Sequence, residues 1–258
     1  MAGESTTRTA PRSGGTGTGP VGSRTGQRLS GLAVALGIVL FLGGFAWGAV
    51  IYRPYTVPTS SMTPTIDAGD RILAERVDGD EVRRGDVVVF KDTAWVSNAL
   101  VVKRVVAIGG DTVSCCTKGK LTVNGKQIDE PYLPPGSLAE VTDFPTVTVP
   151  KGRLFLLGDE RQGSLDSTAH LTDAASGTVS RNAVRARVDA VVWPMNGMLK
   201  TKPTGFETLG PLSAPGPLRT VVVLIVLGGV LVLGGGAYGP IAQRMGRSRP
   251  RAGSAGAH

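Results

Sequence analysis

Leu100-Val101-Val102-Lys103-Arg104-Val105-Val106-Ala107-Ile108 is the longest apolar run in the middle of the chain, and Gly109-Gly110-Asp111 ends it. Its β-branched residues and the glycine stop read as a β-strand. Shorter runs of the same kind lie on either side. Arg71 to Val77 is one, and Val87-Val88-Val89-Phe90 is another, entered through Arg84-Gly85-Asp86. Leu121-Thr122-Val123 and Lys126-Gln127-Ile128 flank Asn124-Gly125, the dipeptide favoured by two-residue hairpin turns. Val147-Thr148-Val149, Arg153 to Leu157 and Val184 to Val192 complete the set, with a proline-rich loop from Pro131 to Pro145 between. Short strands with regular turn signals predict a mainly β domain, and no helical periodicity of comparable length competes with it. About 165 residues are enough for one good core.

Lys103-Arg104 interrupts the longest strand. Two readings stand. At a sheet edge both side chains reach water, and composition alone favours that placement. Buried among valines, the lysine would lose part of its charge, because burial disfavours the ammonium form. A neutral buried amine is a general base.

A base needs a nucleophile. Val57-Pro58-Thr59-Ser60-Ser61-Met62-Thr63-Pro64-Thr65 gathers hydroxyl residues around one methionine, between two prolines. Pro58 and Pro64 fix their own φ and bias Val57 and Thr63 toward extended backbone. The serines therefore sit in a stiff turn, suited to presenting a hydroxyl at a fixed angle. Serine needs a base within hydrogen-bond reach to act as a nucleophile. A third polar stretch, Gly158-Asp159-Glu160-Arg161-Gln162-Gly163-Ser164-Leu165-Asp166-Ser167, follows a wholly apolar strand. It reads as an ordinary polar loop, or as a source of a carboxylate for Arg104 and a hydroxyl for Lys103.

The formal charge of the 258 residues is +8, but its distribution argues against nucleic acid. From Arg53 to Pro217 there are 19 Lys+Arg and 19 Asp+Glu. The excess sits outside, with Arg8, Arg12, Arg24 and Arg28 before one uncharged apolar run (Ser30 to Tyr52). Arg244, Arg247, Arg249 and Arg251 follow another (Thr220 to Tyr238). Each run is close to the ~20 residues that cross a bilayer. The positive-inside rule puts both termini in the cytoplasm and the middle outside, Arg219 being a single charge on the outer side. The first run also has the charged leader of a cleaved signal peptide, with Ala46-Trp47-Gly48 as a loose cleavage site. It is longer than the ~7–15-residue core of such peptides, which favours an uncleaved anchor.

The expected organisation is a disordered cytoplasmic tail (1–28), a transmembrane helix (29–52), an extracytoplasmic β-rich domain (53–202), a linker (203–218), a second transmembrane helix (219–239) and a basic cytoplasmic tail (240–258). Cys115 and Cys116 are adjacent, a spacing that rarely satisfies disulfide geometry, so they read as small, partly buried residues in a hairpin. With so few cysteines and histidines no metal site or cofactor is expected.

The three polar stretches, in this order after an N-terminal anchor, resemble the bacterial type I signal peptidases, membrane-bound serine proteases that remove signal peptides from exported preproteins. Ser61-Met62-Thr63-Pro64-Thr65 is similar to the family's Ser-Met-x-Pro-Thr box, Lys103 to Asp111 to its Lys-Arg box, and Gly158 to Ser167 to its Gly-Asp-Asn-Arg box. Gly69-Asp70 and Arg84 to Val88 resemble the segments between them. The resemblance implies Ser61 as nucleophile and Lys103 as base, with an oxyanion hole from the Thr59 hydroxyl and the Ser61 N–H. It implies that Ser164 holds the Lys103 amine and that Asp159 pairs with Arg104. Tyr55, Val57, Met62, Ile66 and Val102 are candidates for shallow pockets that accept small residues at −1 and −3. Thr168 stands where the family has an arginine, which leaves the ion pair of Asp166 open. The implied partners are signal-peptide-bearing preproteins and membrane lipid, at the cytoplasmic membrane. A self-cleaving repressor, which also uses Ser–Lys chemistry, fits less well because it needs a DNA-binding domain and no anchor. A catalytically inactive relative serving as assembly factor or chaperone for surface proteins is the alternative of a different class; the presence of both Ser61 and Lys103 argues against it.

Overall fold

The computed structural model describes residues 24–247, apart from 97–98, 118, 138–142, 196 and 200–202. The rest of the expected tails, 1–23 and 248–258, lies outside the described residues. Helix α1 (Arg24–Ile51) leads into strand β1 (Tyr52–Thr56). The strands β2 (Arg71–Glu75), β3 (Val87–Phe90), β4 (Val101–Ile108), β5 (Thr112–Thr117), β6 (Lys120–Val123) and β7 (Lys126–Gln127) follow. Next come β8 (Phe144–Thr148), β9 (Arg153–Leu157), β10 (Thr178–Ser180), β11 (Val184–Trp193), β12 (Gly197–Met198) and helix α2 (Leu218–Arg247). The chain is mainly β between two helices, as its sequence predicts.

The contacts divide the chain into two units, one of them holding residues 44–223. The other contains the outer part of each helix. There Ser30 Oγ donates to the Gly235 carbonyl at 2.7 Å, and a side chain at Gly37 would meet the Gly228 carbonyl oxygen at 2.8 Å. Small residues let two helix backbones approach closely where lipid gives no hydrophobic drive to pack. Gly26–Ile51 and Leu218–Tyr238 are long and apolar enough to cross a membrane, and most of each surface faces outward.

In the larger unit the main antiparallel sheet runs β1-β2-β11-β3-β4-β9-β10, with β12 on β11, and a second sheet runs β7-β6-β5-β8. β4 is interior. Val88 of β3 pairs with Lys103, and Leu157 of β9 pairs with Arg104. The sheet-edge placement of Lys103 and Arg104 is therefore overturned. Composition registers the two charges but not the strands that cover them on both sides. The apolar run of β4 has a simple cause: Val105 packs into one core with Val88 and Leu156, and Val106 into another with Phe155 and Leu157. A strand buried on both faces needs apolar side chains at successive positions rather than alternate ones.

The segment expected to be a linker is packed down instead. Phe206 is fully buried against Val106, Ala107 and Phe155. Arg84 Nη1 donates to the Leu209 carbonyl at 3.2 Å, and Ser213 Oγ to Asp86 at 2.6 Å. Gly205 has φ +82° and lies so close to the Asp129 carbonyl that a Cβ would collide with it. Residues 203–217 thus form a strap on the domain. Cys115 and Cys116 also depart from expectation: they are joined as a disulfide, their Cα atoms 3.1 Å apart across a cis peptide bond, which is much closer than trans neighbours.

Candidate active site

The turn after β1 is fixed from below. Met62 and Ile66 are fully buried and form an isolated bridge, and the Thr65 and Ile66 N–H groups both donate to the Met62 carbonyl. Burying a side chain of that size contributes about 1.5–3 kcal/mol, so Met62 nails the turn to the core and leaves Ser61 above it. The Ser61 carbonyl accepts the Glu160 N–H at 3.2 Å, which binds the turn to the loop after β9.

Lys103 is 3% exposed and donates through Nζ to Ser61 Oγ at 2.6 Å. Burial lowers its amine to about 8; the carboxylates of Asp166, Asp159 and Glu160 oppose the shift. Thr59 Oγ1 stands 3.4 Å from Ser61 Oγ on the exposed side.

Arg104, one residue on, is buried as an ion pair. Nε donates to Asp159 Oδ1 at 2.8 Å and Nη2 to Oδ2 at 2.6 Å. Nη1 donates to the Gly85 carbonyl at 3.0 Å, and the guanidinium lies 3.8 Å from the centre of the Tyr132 ring. Burial works against the charge, but Asp159 outweighs it and holds the guanidinium above its ordinary pKa. Thr65 Oγ1 completes the cluster by donating to Asp159 at 2.5 Å.

Asp166 is buried, without an ion pair among the described residues. It accepts Gly158 N–H at 2.9 Å, Thr168 N–H at 3.1 Å and Thr168 Oγ1 at 2.8 Å. Thr168, which stands where the family has an arginine, supplies two of these contacts. Ser164 departs from its expected role. Its Oγ is buried with no hydrogen-bond partner among the described residues, and it turns toward Gly158, where the missing side chain leaves room. The Lys103 amine is held by Ser61 instead.

Of the five pocket candidates, Val57, Met62 and Ile66 are core residues, while Tyr55 and Val102 are half-buried against the same cluster. Only those two offer appreciable surface. A second buried pair has no sequence signal: Arg161 is bidentate to Glu130 at 2.8 and 2.6 Å and donates through Nε to the Gly158 carbonyl at 2.9 Å. The partners are 31 residues apart, and nothing in the sequence marks Glu130, just before the proline-rich loop. Among the described residues no group of three His, Cys, Asp or Glu side chains could hold a metal ion.

A serine hydroxyl within hydrogen-bond reach of a buried amine is an arrangement also found in hydrolases that work without histidine. Residues 29–193 match the model of the family described as signal peptidase, peptidase S26, and the chain belongs to that family. It is 34% identical to signal peptidase I of Mycobacterium tuberculosis H37Rv over 193 residues, covering 56% of this chain and 66% of that protein. The chain thus spans about two thirds of the length of these mycobacterial relatives. Signal peptidase I of Bacillus licheniformis is 34% identical over 162 residues, which cover 59% of this chain and 83% of that protein. A crystal structure of a signal peptidase I from Enterococcus faecalis V583 aligns at 27% identity with a TM-score of 0.34, over 41% of this chain and 94% of that one.

Proposed function

We propose that the protein is a membrane-anchored serine endopeptidase that removes N-terminal signal peptides from exported preproteins. The observation that carries this reading is the 2.6 Å contact of Lys103 Nζ with Ser61 Oγ, in a site where burial brings the amine to about 8. Lys103 takes the Ser61 proton as Oγ attacks the scissile carbonyl. The Ser61 N–H and the Thr59 hydroxyl stabilise the oxyanion, at about 3–4 kcal/mol per donor in comparable sites. The ammonium then gives its proton to the leaving amine nitrogen, and the acyl group remains on Oγ as an ester. Lys103 next deprotonates a water, which attacks the ester, and the ammonium returns that proton to Oγ as Ser61 leaves. Asp159 holds Arg104, and Asp166 braces the loop that supports Ser61.

Position supports the substrate class. Eight residues separate Tyr52 from Ser61, at most about 26–29 Å of extended chain. The serine is therefore kept near the outer membrane surface, where signal peptides end, and proximity replaces much of the diffusional search. The arginine clusters outside the two spans support cytoplasmic termini and an outward-facing domain. The test is cleavage of a peptide carrying an Ala-x-Ala site. Wild-type protein cleaves it, Ser61→Ala loses at least about 10³-fold in kcat, and Ser60→Ala remains active. Full activity of Ser61→Ala would refute the assignment.

A further inference from the structure

A cavity of about 520 Å³ is walled by Tyr55 of β1 and Leu100, just before β4, with the guanidinium-bearing Arg53, Arg76 and Arg185 around it. These three side chains are exposed, and none is ion-paired among the described residues. Asp78 and Glu81 also line the cavity, and Glu81 is turned back onto the Asp78 N–H at 3.3 Å.

Two observations connect this cavity to the site. Arg53 and Tyr55 alternate along β1, which leads to the Ser61 turn, so they share a face. Leu100 lies about 10 Å of extended strand before Lys103 and, two residues from Val102, shares the face on which Val102 and Tyr55 pack against the cluster of Val57 and Met62. A substrate extended from the scissile bond covers that distance in three residues and meets the cavity from about position −4 onward. The cavity also lies where the chain leaves its first apolar helix, because Arg76 N–H donates to the Ile51 carbonyl at 2.9 Å. A signal peptide arrives from the same end, its apolar core preceding the cleavage site.

We propose that Arg53, Arg76 and Arg185 form a charge-selective subsite that favours acidic and disfavours basic side chains about four to six residues upstream of the scissile bond. This inference rests on the proposed function. It assigns to the exposed arginines a part in substrate choice that Ser61 and Lys103 do not supply.

The experiment uses the full chain in neutral detergent at low salt and three Ala-x-Ala peptides that differ only in carrying Asn, Asp or Lys at −5. The Asp peptide is expected to exceed the Lys peptide about tenfold in kcat/KM. The ratio falls to within about twofold in Arg53→Gln/Arg76→Gln, and likewise in wild-type protein at 1 M NaCl, where screening acts within about 3 Å. The salt arm needs no variant to fold. Cleavage of all three peptides at equal kcat/KM would overturn the subsite and leave the proposed function standing. If the double variant instead slows cleavage only on vesicles containing phosphatidylglycerol, the cavity takes a lipid headgroup and the substrate assignment is wrong. Failure of wild-type protein to cleave even the Asn peptide would overturn the proposed function itself.

Discussion

Arg104 grips Asp159 with two hydrogen bonds, at 2.8 and 2.6 Å, and so ties the strand that carries Lys103 to the loop that receives the Ser61 carbonyl. Both partners are almost completely buried. Removing one leaves the other charged in a dry site, which costs about 3–5 kcal/mol. Asp159→Ala should therefore lower unfolding stability by that amount, read by chemical denaturation in detergent. A loss below about 1 kcal/mol, the worth of an exposed pair, would mean that the pair does not brace the site.

Asp166 is the foremost of the carboxylates that hold the Lys103 amine up against the effect of burial. A negative charge favours the ammonium form, so its removal favours the neutral amine. Asp166→Asn should move the acidic limb of kcat/KM to lower pH while its side-chain oxygen keeps a hydrogen bond in the loop. A limb that stays in place, or moves up, would show that Asp166 acts on the loop alone.

The strap predicts a stability effect far from the serine in sequence. Phe206 is fully buried among Val106, Ala107 and Phe155. Phe206→Ala should cost about 3–5 kcal/mol, measured in the same way. A free linker would tolerate the change.

Topology has its own test. With both arginine clusters on the cytoplasmic side, protease added outside spheroplasts should spare a tag placed after His258. Digestion of that tag would contradict the two-span arrangement.

The strands that the sequence marks well are those buried on both faces: Val87–Phe90 and Arg153–Leu157 have the extents that their apolar runs predict. β1 escapes because Pro54 lies within it and no turn separates it from α1; as the outermost strand of its sheet it tolerates the proline. Phe206 is hidden by the glycines and prolines around it, which read as linker although one aromatic anchors the whole strap. A stiff hydroxyl turn and a lysine among valines offered a nucleophile and a base, but the choice of Ser61 and its pairing with Lys103 came from the resemblance to the signal peptidases. The burial of that lysine was not legible, since it depends on β9, about fifty residues away in sequence. Ser164 shows the same limit at finer scale: its place in the loop was visible, but the direction of its hydroxyl depends on the space beside Gly158.

The central claim is that Lys103 is the base. A pH–rate profile of kcat/KM on an Ala-x-Ala peptide, for wild-type protein and Lys103→Arg side by side, tests it most directly. Below its pKa the amine is protonated and cannot accept the Ser61 proton, so wild-type activity should rise with pH through a limb near 8, where burial holds the amine. Lys103→Arg, folded but permanently charged, should be inactive throughout. A limb near 10.4, the range of an unperturbed lysine, or a Lys103→Arg protein that cleaves at the wild-type rate, would contradict the account.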